Sequence, residues 1–393
     1  MTEKLFYKDA YLKEFDAVVT DVKHDSGKMA VTLDVTAFYP EGGGQGADHG
    51  LILTKDHQSF SVTDVQERDG EILHYVSCPD GAGIRPQDKV RCFIDWDRRF
   101  DHMQQHSGEH IVSGMICASF NCNNVGFHLG EDTVTIDFDT RISPEQALEI
   151  ENRANSYIWE DHPVVESWPD RKELSSIQYR SKKEIEGDVR LIAFPGADIC
   201  ACCGIHVSGS AQVGLVKFIS AKNFHEGTRL ELLCGKRAVR YLSGVYVQAK
   251  AAAVKLSTSE ENLAEHVEKL ASENIRLKTG ISDAMSRLFV LQAKACEGKG
   301  NVLVIADDIT GVQARELADL ISEKCEGTAA VFAGNGDRYN YAVINKKGFP
   351  KDFVKMLNSA LDGKGGGKDG FAQGCVCAGR EAVKNHFHDY FEL

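Results

Sequence analysis

The chain has 393 residues, 42% of them hydrophobic and 26% charged, with a formal net charge of −13. That length predicts about two to four domains, and the acidic balance excludes broad electrostatic binding of nucleic acid, so any RNA contact must come from local basic patches. No apolar run approaches the length that spans a bilayer, the charged start MTEKLFYKDAYLKEF predicts no secretory leader, and 12 irregularly spaced Cys predict reduced thiols in a cytoplasmic protein.

Residues 1–95 read as short strands. Ala17-Val-Val-Thr, Met29-Ala-Val-Thr-Leu-Asp-Val and Ser61-Val-Thr-Asp-Val are rich in β-branched residues, and His24-Asp-Ser-Gly and Asp80-Gly-Ala-Gly are turn clusters. A small antiparallel barrel is expected. Phe38-Tyr-Pro-Glu-Gly-Gly-Gly-Gln45 reads as a tight barrel loop in which Gly42, Gly43 and Gly44 let backbone approach a ligand closely. It lacks the lysine and spacing of a P-loop.

Residues 96–240 mix helix and strand. Asp101 to Cys117 has helical periodicity, and Thr133-Val-Thr-Ile-Asp-Phe-Asp alternates as a strand. Ser143-Pro-Glu-Gln starts a helix with Ser143 as N-cap and Gln146 as its capping-box partner. Cys202 follows a Phe194-Pro-Gly turn and is expected on a loop.

Residues 241–295 carry almost no Pro or Gly. Leu263, Val267, Leu270, Asn274, Leu277, Ile281, Ala284 and Leu288 alternate spacings of four and three, a heptad seam with Thr258-Ser-Glu-Glu261 as its expected cap. The seam is read either as a hairpin with residues 237–256 or as a homodimer contact. Beyond it, Val302-Leu-Val-Ile-Ala, Ala329-Ala-Val-Phe and Tyr341-Ala-Val-Ile read as strands. Val312–Cys325 and Phe353–Leu361 read as helices. The chain is therefore expected to be an α+β multidomain protein. Its parts are a small β-barrel (1–95), an α+β zinc domain (96–240), a coiled-coil-like helical linker (241–295) and a small α/β domain with a glycine-rich loop (296–393).

His106-Ser-Gly-Glu109-His110 sets two imidazoles at i and i+4, on one helix face. Cys202-Cys-Gly-Ile-His206 adds a thiolate and a third imidazole, and such a set suits Zn2+. Cys200 or Cys203 could replace Cys202. The same helix motif matches the H-x-x-E-H pattern of zinc peptidases, with Glu109 as general base, although those sites want a carboxylate third ligand. Lys364 and Lys368 flank Gly365-Gly-Gly, which reads as a phosphate cradle or as a flexible hinge.

Taken together, Phe38-Tyr-Pro-Glu-Gly-Gly-Gly-Gln45, His106-Ser-Gly-Glu-His110, Cys202-Cys-Gly-Ile-His206-Val and Gly365-Gly-Gly-Lys-Asp-Gly-Phe-Ala-Gln373-Gly374 resemble the AlaX family of alanyl-tRNA editing proteins in its long form. That family is similar to the editing and C-terminal domains of alanyl-tRNA synthetase. The resemblance implies a translation-factor-like barrel and hydrolysis of mischarged tRNA-Ala, carrying serine or also glycine. It implies zinc ligands at His106, His110, Cys202 and His206, and a catalytic pocket that adds Gln45 and His128. Gly42, Gly43, Gly44 and Gln45 would touch substrate. Lys364 and Lys368 in the C-terminal domain would touch tRNA. Two departures stand out: Gly46 where the family commonly has Pro, and Cys203 where it usually has Gly. A third reading is a tRNA-binding protein whose zinc is only structural, because four protein ligands close a zinc shell.

Overall fold

The computed structural model describes residues 2–25, 28–77, 83–181, 187–348, 351–368 and 370–392. Eight strands precede the first long helix: β1 (Glu3–Lys4), β2 (Glu14–Asp25), β3 (Lys28–Leu33), β4 (Val35–Thr36), β5 (Gly50–Thr54), β6 (Ser59–Arg68), β7 (Glu71–Ser77) and β8 (Lys89–Ile94). Six of them close a barrel in the order β2-β3-β7-β6-β5-β8, while β1 pairs with β4. The β-branched runs fall in β2, β3 and β6, as their composition predicts. Phe60, Val62 and Val65 of β6 are buried, and a register shift after Val62 accounts for the broken alternation. The expected turn clusters fall partly outside the described residues, at Ser26, Gly27, Asp80, Gly81 and Ala82.

The chain divides into two units, Met1–Ala251 and Ala252–Leu393. In the first, α1 (Trp96–Phe120) is capped by Asp95, which accepts Arg98 N–H, and is longer than its periodicity suggests. His102 to Ile116 are all buried. A buried helix carrying this many polar side chains needs a partner for each. The Gln105 amide completes both backbone groups of Cys234, donating to its carbonyl at 2.9 Å and accepting its N–H at 2.8 Å. Arg99 ion-pairs with Asp48 of the barrel, both fully buried, and also donates to the carbonyls of Ala10 and Ala37. Tyr39 N–H completes the Asp48 carboxylate at 2.6 Å.

Around α1 lie β9 (Asn124–Leu129), β10 (Val134–Phe138), α2 (Pro144–Trp159), β11 (Val165–Ser167), α3 (Arg171–Leu174), β12 (Leu191–Phe194), β13 (Asp198–Ala201), β14 (Val216–Phe224), β15 (Gly227–Cys234) and α4 (Gly235–Lys255). They form a four-stranded sheet, β14-β15-β10-β9, and a three-stranded one, β11-β12-β13. The capping box of α2 is present with both of its bonds.

The second unit holds α5 (Leu263–Lys294), β16 (Val302–Ala306), α6 (Gly311–Ser322), β17 (Ala329–Asn335), β18 (Arg338–Ile344), α7 (Lys351–Ala360), β19 (Lys364–Lys368), β20 (Phe371–Val376) and α8 (Arg380–Phe391). The sheet order is β16-β17-β18-β20-β19, parallel only between β16 and β17. Phe289 of α5 and Leu317 of α6 share one core; Phe353 of α7 and Phe387 of α8 share another. Two expectations are corrected. Thr258 does not cap α5: the N-cap is Asn262, without a side-chain bond, and the Thr258 hydroxyl pairs with His266 Nδ1 at 3.0 Å. Lys364 to Lys368 is the edge strand β19 rather than a loop. Gly365 lies so close to Tyr341 and Gln373 that a Cβ there would meet the Tyr341 hydroxyl at 2.4 Å, so this glycine serves strand packing. Leu270, Leu277, Ile281 and Leu288 of the seam are exposed. Among the described residues no helix is long and apolar enough to cross a membrane.

Candidate metal centre

Helix α1 presents His106 and His110 one turn apart on the same face, as their spacing requires. The chain leaves β13 at Ala201, and the next residues bring Cys202 and His206 to those rings. The four ligand atoms lie within 4.8 Å of one another. Cys202 Sγ stands 3.4 Å from His106 Nε2, against an N···S edge of about 3.5 Å in a tetrahedral zinc site.

Each imidazole is turned by a partner on its outer nitrogen. His106 Nδ1 donates to Gln45 Oε1 at 2.9 Å, which also receives Ile205 N–H at 3.3 Å. His110 Nδ1 donates to Asp198 Oδ2 at 2.9 Å. His206 Nδ1 pairs with the Ser107 hydroxyl at 3.2 Å. Every Nε2 is thereby left for the centre, and buried His206 Nε2 has no hydrogen-bond partner. Three imidazoles, a thiolate and a buried orphan nitrogen fit Zn2+. Burial opposes ionisation of the Cys202 thiol, but the His106 and His110 rings hold it well below its ordinary value. Burial likewise opposes a charged His110, yet Cys202 and Asp198 raise it to about 9. Burial pushes His206 down to about 3.

The ligand loop is pinned through its carbonyls. Arg190 donates to the oxygens of Cys202 and Gly204 at 3.0 and 2.5 Å. The Tyr7 and Tyr39 hydroxyls both donate to the Cys203 oxygen, at 3.0 and 3.2 Å. A Cβ on Gly204 would stand 2.1 Å from His106 Cε1, so only glycine lets the loop close on that ring.

A cavity of about 410 Å³ opens onto the centre, lined in part by Gly43, Gly44, Phe127, Cys202 and Cys203. The structure brings together His106, His110, Cys202 and His206, with Gly43 and Gly44 on the wall. Gln45 is fully buried behind His106, and Gly42 does not line the cavity. His128 is not brought to the cavity: it is exposed on β9, and its neighbour Phe127 faces inward, stacked on His106 at 5.3 Å. Alternation along a strand sends neighbours to opposite faces. Cys203 is exposed, and buried Cys200 turns its thiol to the Ala201 carbonyl at 3.5 Å, so Cys202 is the cysteine whose sulfur groups with the three imidazoles. Glu109 accepts from Ser113 at 2.7 Å and Asn124 at 2.8 Å. Lys364 and Lys368 are exposed on β19. Sequence reasoning missed Ser107, Phe127, Asp198 and Arg180, which donates to both Asp198 carboxylate oxygens at 2.7 Å. Only Ser107, inside the helix motif, carried a local signal.

The family model described as tRNA synthetases class II (A) matches residues 3–98. The alanyl-tRNA editing protein AlaX-L of Pyrococcus horikoshii is 28% identical over 98% of this chain and 96% of its own length. The alanyl-tRNA editing protein AlaX-M of Methanosarcina acetivorans is 35% identical over 58% of this chain and 97% of its own length. The alanine–tRNA ligase of Halobacterium salinarum strain R1 is 34% identical over 85% of this chain, which spans only 36% of the ligase. These likenesses define a class first, that of proteins related to the alanine–tRNA ligases. Within it, the chain belongs to the AlaX family of alanyl-tRNA editing proteins, whose M-form relative it covers almost end to end.

Proposed function

We propose that the chain deacylates mischarged tRNA-Ala in a zinc-containing pocket, with serine as the amino acid removed and glycine as a second candidate. The observation that carries this reading is the quartet of three buried histidines and half-buried Cys202, four ligand atoms within 4.8 Å in a chain of an editing family. His106, His110, Cys202 and His206 hold the zinc, which when bound supplies a Lewis acid for ester hydrolysis. The protein's own part is to bind and orient. The backbone of Gly43 and Gly44 forms one wall, Cys203 another, and Phe127 screens His106 from solvent on one side. An aminoacyl ester is already activated, so positioning carries much of the work.

The peptidase reading loses support, because the Glu109 carboxylate is engaged by Ser113 and Asn124 and the remaining ligands are Cys202 and His206. The closed four-ligand shell favours a second reading, a tRNA-binding protein with structural zinc. We assign the chemistry to residues 1–240, a linker role to 241–295 and tRNA binding to 296–393 through Lys364 and Lys368, in a cytoplasmic protein. Hydrolysis of Ser-tRNA-Ala, with Ala-tRNA-Ala and a peptide library as controls, tests the reading. Selective loss of serine supports deacylation. Peptide cleavage abolished by Glu109→Gln establishes the peptidase, and tRNA binding without turnover establishes structural zinc. Replacing Lys364 and Lys368 by Ala should raise KM and keep kcat.

A further inference from the structure

The three imidazoles of the quartet are not held alike. His110 Nδ1 donates to a carboxylate, Asp198, at 2.9 Å. That carboxylate is itself fixed by two hydrogen bonds from Arg180, Nε to Oδ1 and a terminal nitrogen to Oδ2, each 2.7 Å. Asp198 is 1% exposed as a side chain, so its charge is felt in a dry environment. His106 has a neutral partner, the Gln45 amide oxygen. His206 has the longest and weakest, the Ser107 hydroxyl at 3.2 Å, which is shared with Val207 N–H at 3.1 Å. A charge-assisted bond is about twice as strong as a neutral one. An anionic partner on the outer nitrogen also raises the basicity of the inner one.

We propose that Asp198, anchored by Arg180, is a positioning residue that makes His110 the anchoring imidazole and leaves His206 the exchangeable one. The inference rests on the reading of the quartet as a zinc site, and it adds an order among the ligands. Four equally fixed ligands would leave the shell no ligand to exchange; one weakly held imidazole can leave without loss of the ion. Asp198 and Cys200 lie with His110 in a second compact group. The two Arg180 bonds occupy that carboxylate, so the group supports the first site instead of forming another.

Cobalt(II), whose visible bands report coordination, serves as the metal probe with the full-length chain. Wild type should bind one ion with a tetrahedral spectrum; failure to bind would remove the zinc reading and this inference together. With binding established, Asp198→Asn should weaken affinity about 10–100-fold in chelator competition. Ser107→Ala should change it less than about threefold, a neutral shared bond being the weaker one. His206→Ala should keep its cobalt with shifted bands, whereas His110→Ala should lose it. Equal losses in the two histidine variants would overturn the order while leaving the zinc site standing. Melting of the metal-free variants separates positioning from folding: Asp198→Asn should lose mainly the metal-induced rise in Tm. If that variant does not fold, the zinc-loaded wild type still decides. In 15N–1H imidazole spectra the His110 Nδ1 proton should exchange more slowly than that of His206, and the reverse order would overturn the inference.

Discussion

Gln45 takes the Nδ1 proton of His106 at 2.9 Å across 61 residues of sequence, so a loop of the barrel aims a ring on α1. Gln45→Ala leaves that buried proton without its acceptor. Metal affinity should fall about fivefold, the loss of one neutral bond worth about 1 kcal/mol, measured by chelator competition, with little change in the far-UV spectrum. Unchanged affinity would mean that α1 alone sets the ring.

The thiolate assignment can be read from stoichiometry. Metal analysis should find one zinc per chain in wild type, Cys200→Ala and Cys203→Ala, and sharply less in Cys202→Ala. Because the quartet ties α1 to a loop some 96 residues away, chelation should also lower Tm. Zinc retained in Cys202→Ala and lost in Cys203→Ala would show that the other thiolate binds.

Arg99 and Asp48 are both buried, and the pair joins α1 to the barrel. Arg99→Ala strands the Asp48 carboxylate and should cost about 3–5 kcal/mol in urea unfolding. A loss below about 1 kcal/mol would class the pair with exposed surface bridges.

Acid should destabilise the barrel through His74. Burial pushes its folded pKa down from 6.5 to about 4. The unfolded chain therefore takes up this proton first as pH falls. The contribution is fully present above pH 6.5 and is lost progressively down to about 4. Its full size is roughly 3 kcal/mol. His102, also pushed down to about 4 by burial and by Arg98, adds the same sign. Urea titrations between pH 7 and 4 should show a shallower pH dependence in His74→Gln than in wild type.

The exposed seam on α5 should close a homodimer. Leu270, Leu277 and Ile281 are exposed along it, and a like-with-like seam closes in two-fold symmetry. Light scattering should give a dimer for the intact chain and a folded monomer for Leu270→Glu with Leu277→Glu. A monomeric wild type at micromolar concentration would end this proposal.

What the sequence determined by itself was local. The i, i+4 spacing put His106 and His110 on one face, Ser143 capped α2, and β-branched runs became barrel strands, because periodicity and capping act within a few residues. The grouping of distant motifs also pointed to the right family. Packing decided the rest. Three cysteines within four positions offer the same chemistry, and only the path out of β13 turns Cys202 to the histidines. His128 and Phe127 are adjacent, and the face of β9 that meets α1 chose Phe127. Thr258 had the residue type of a cap, but the helix began beyond it, at Leu263. The residues that orient the quartet, Gln45 and Asp198, lie 61 and 88 positions from the rings they hold. No local pattern encodes a hydrogen bond over that span; the tertiary fold creates it by burying polar groups that must find partners.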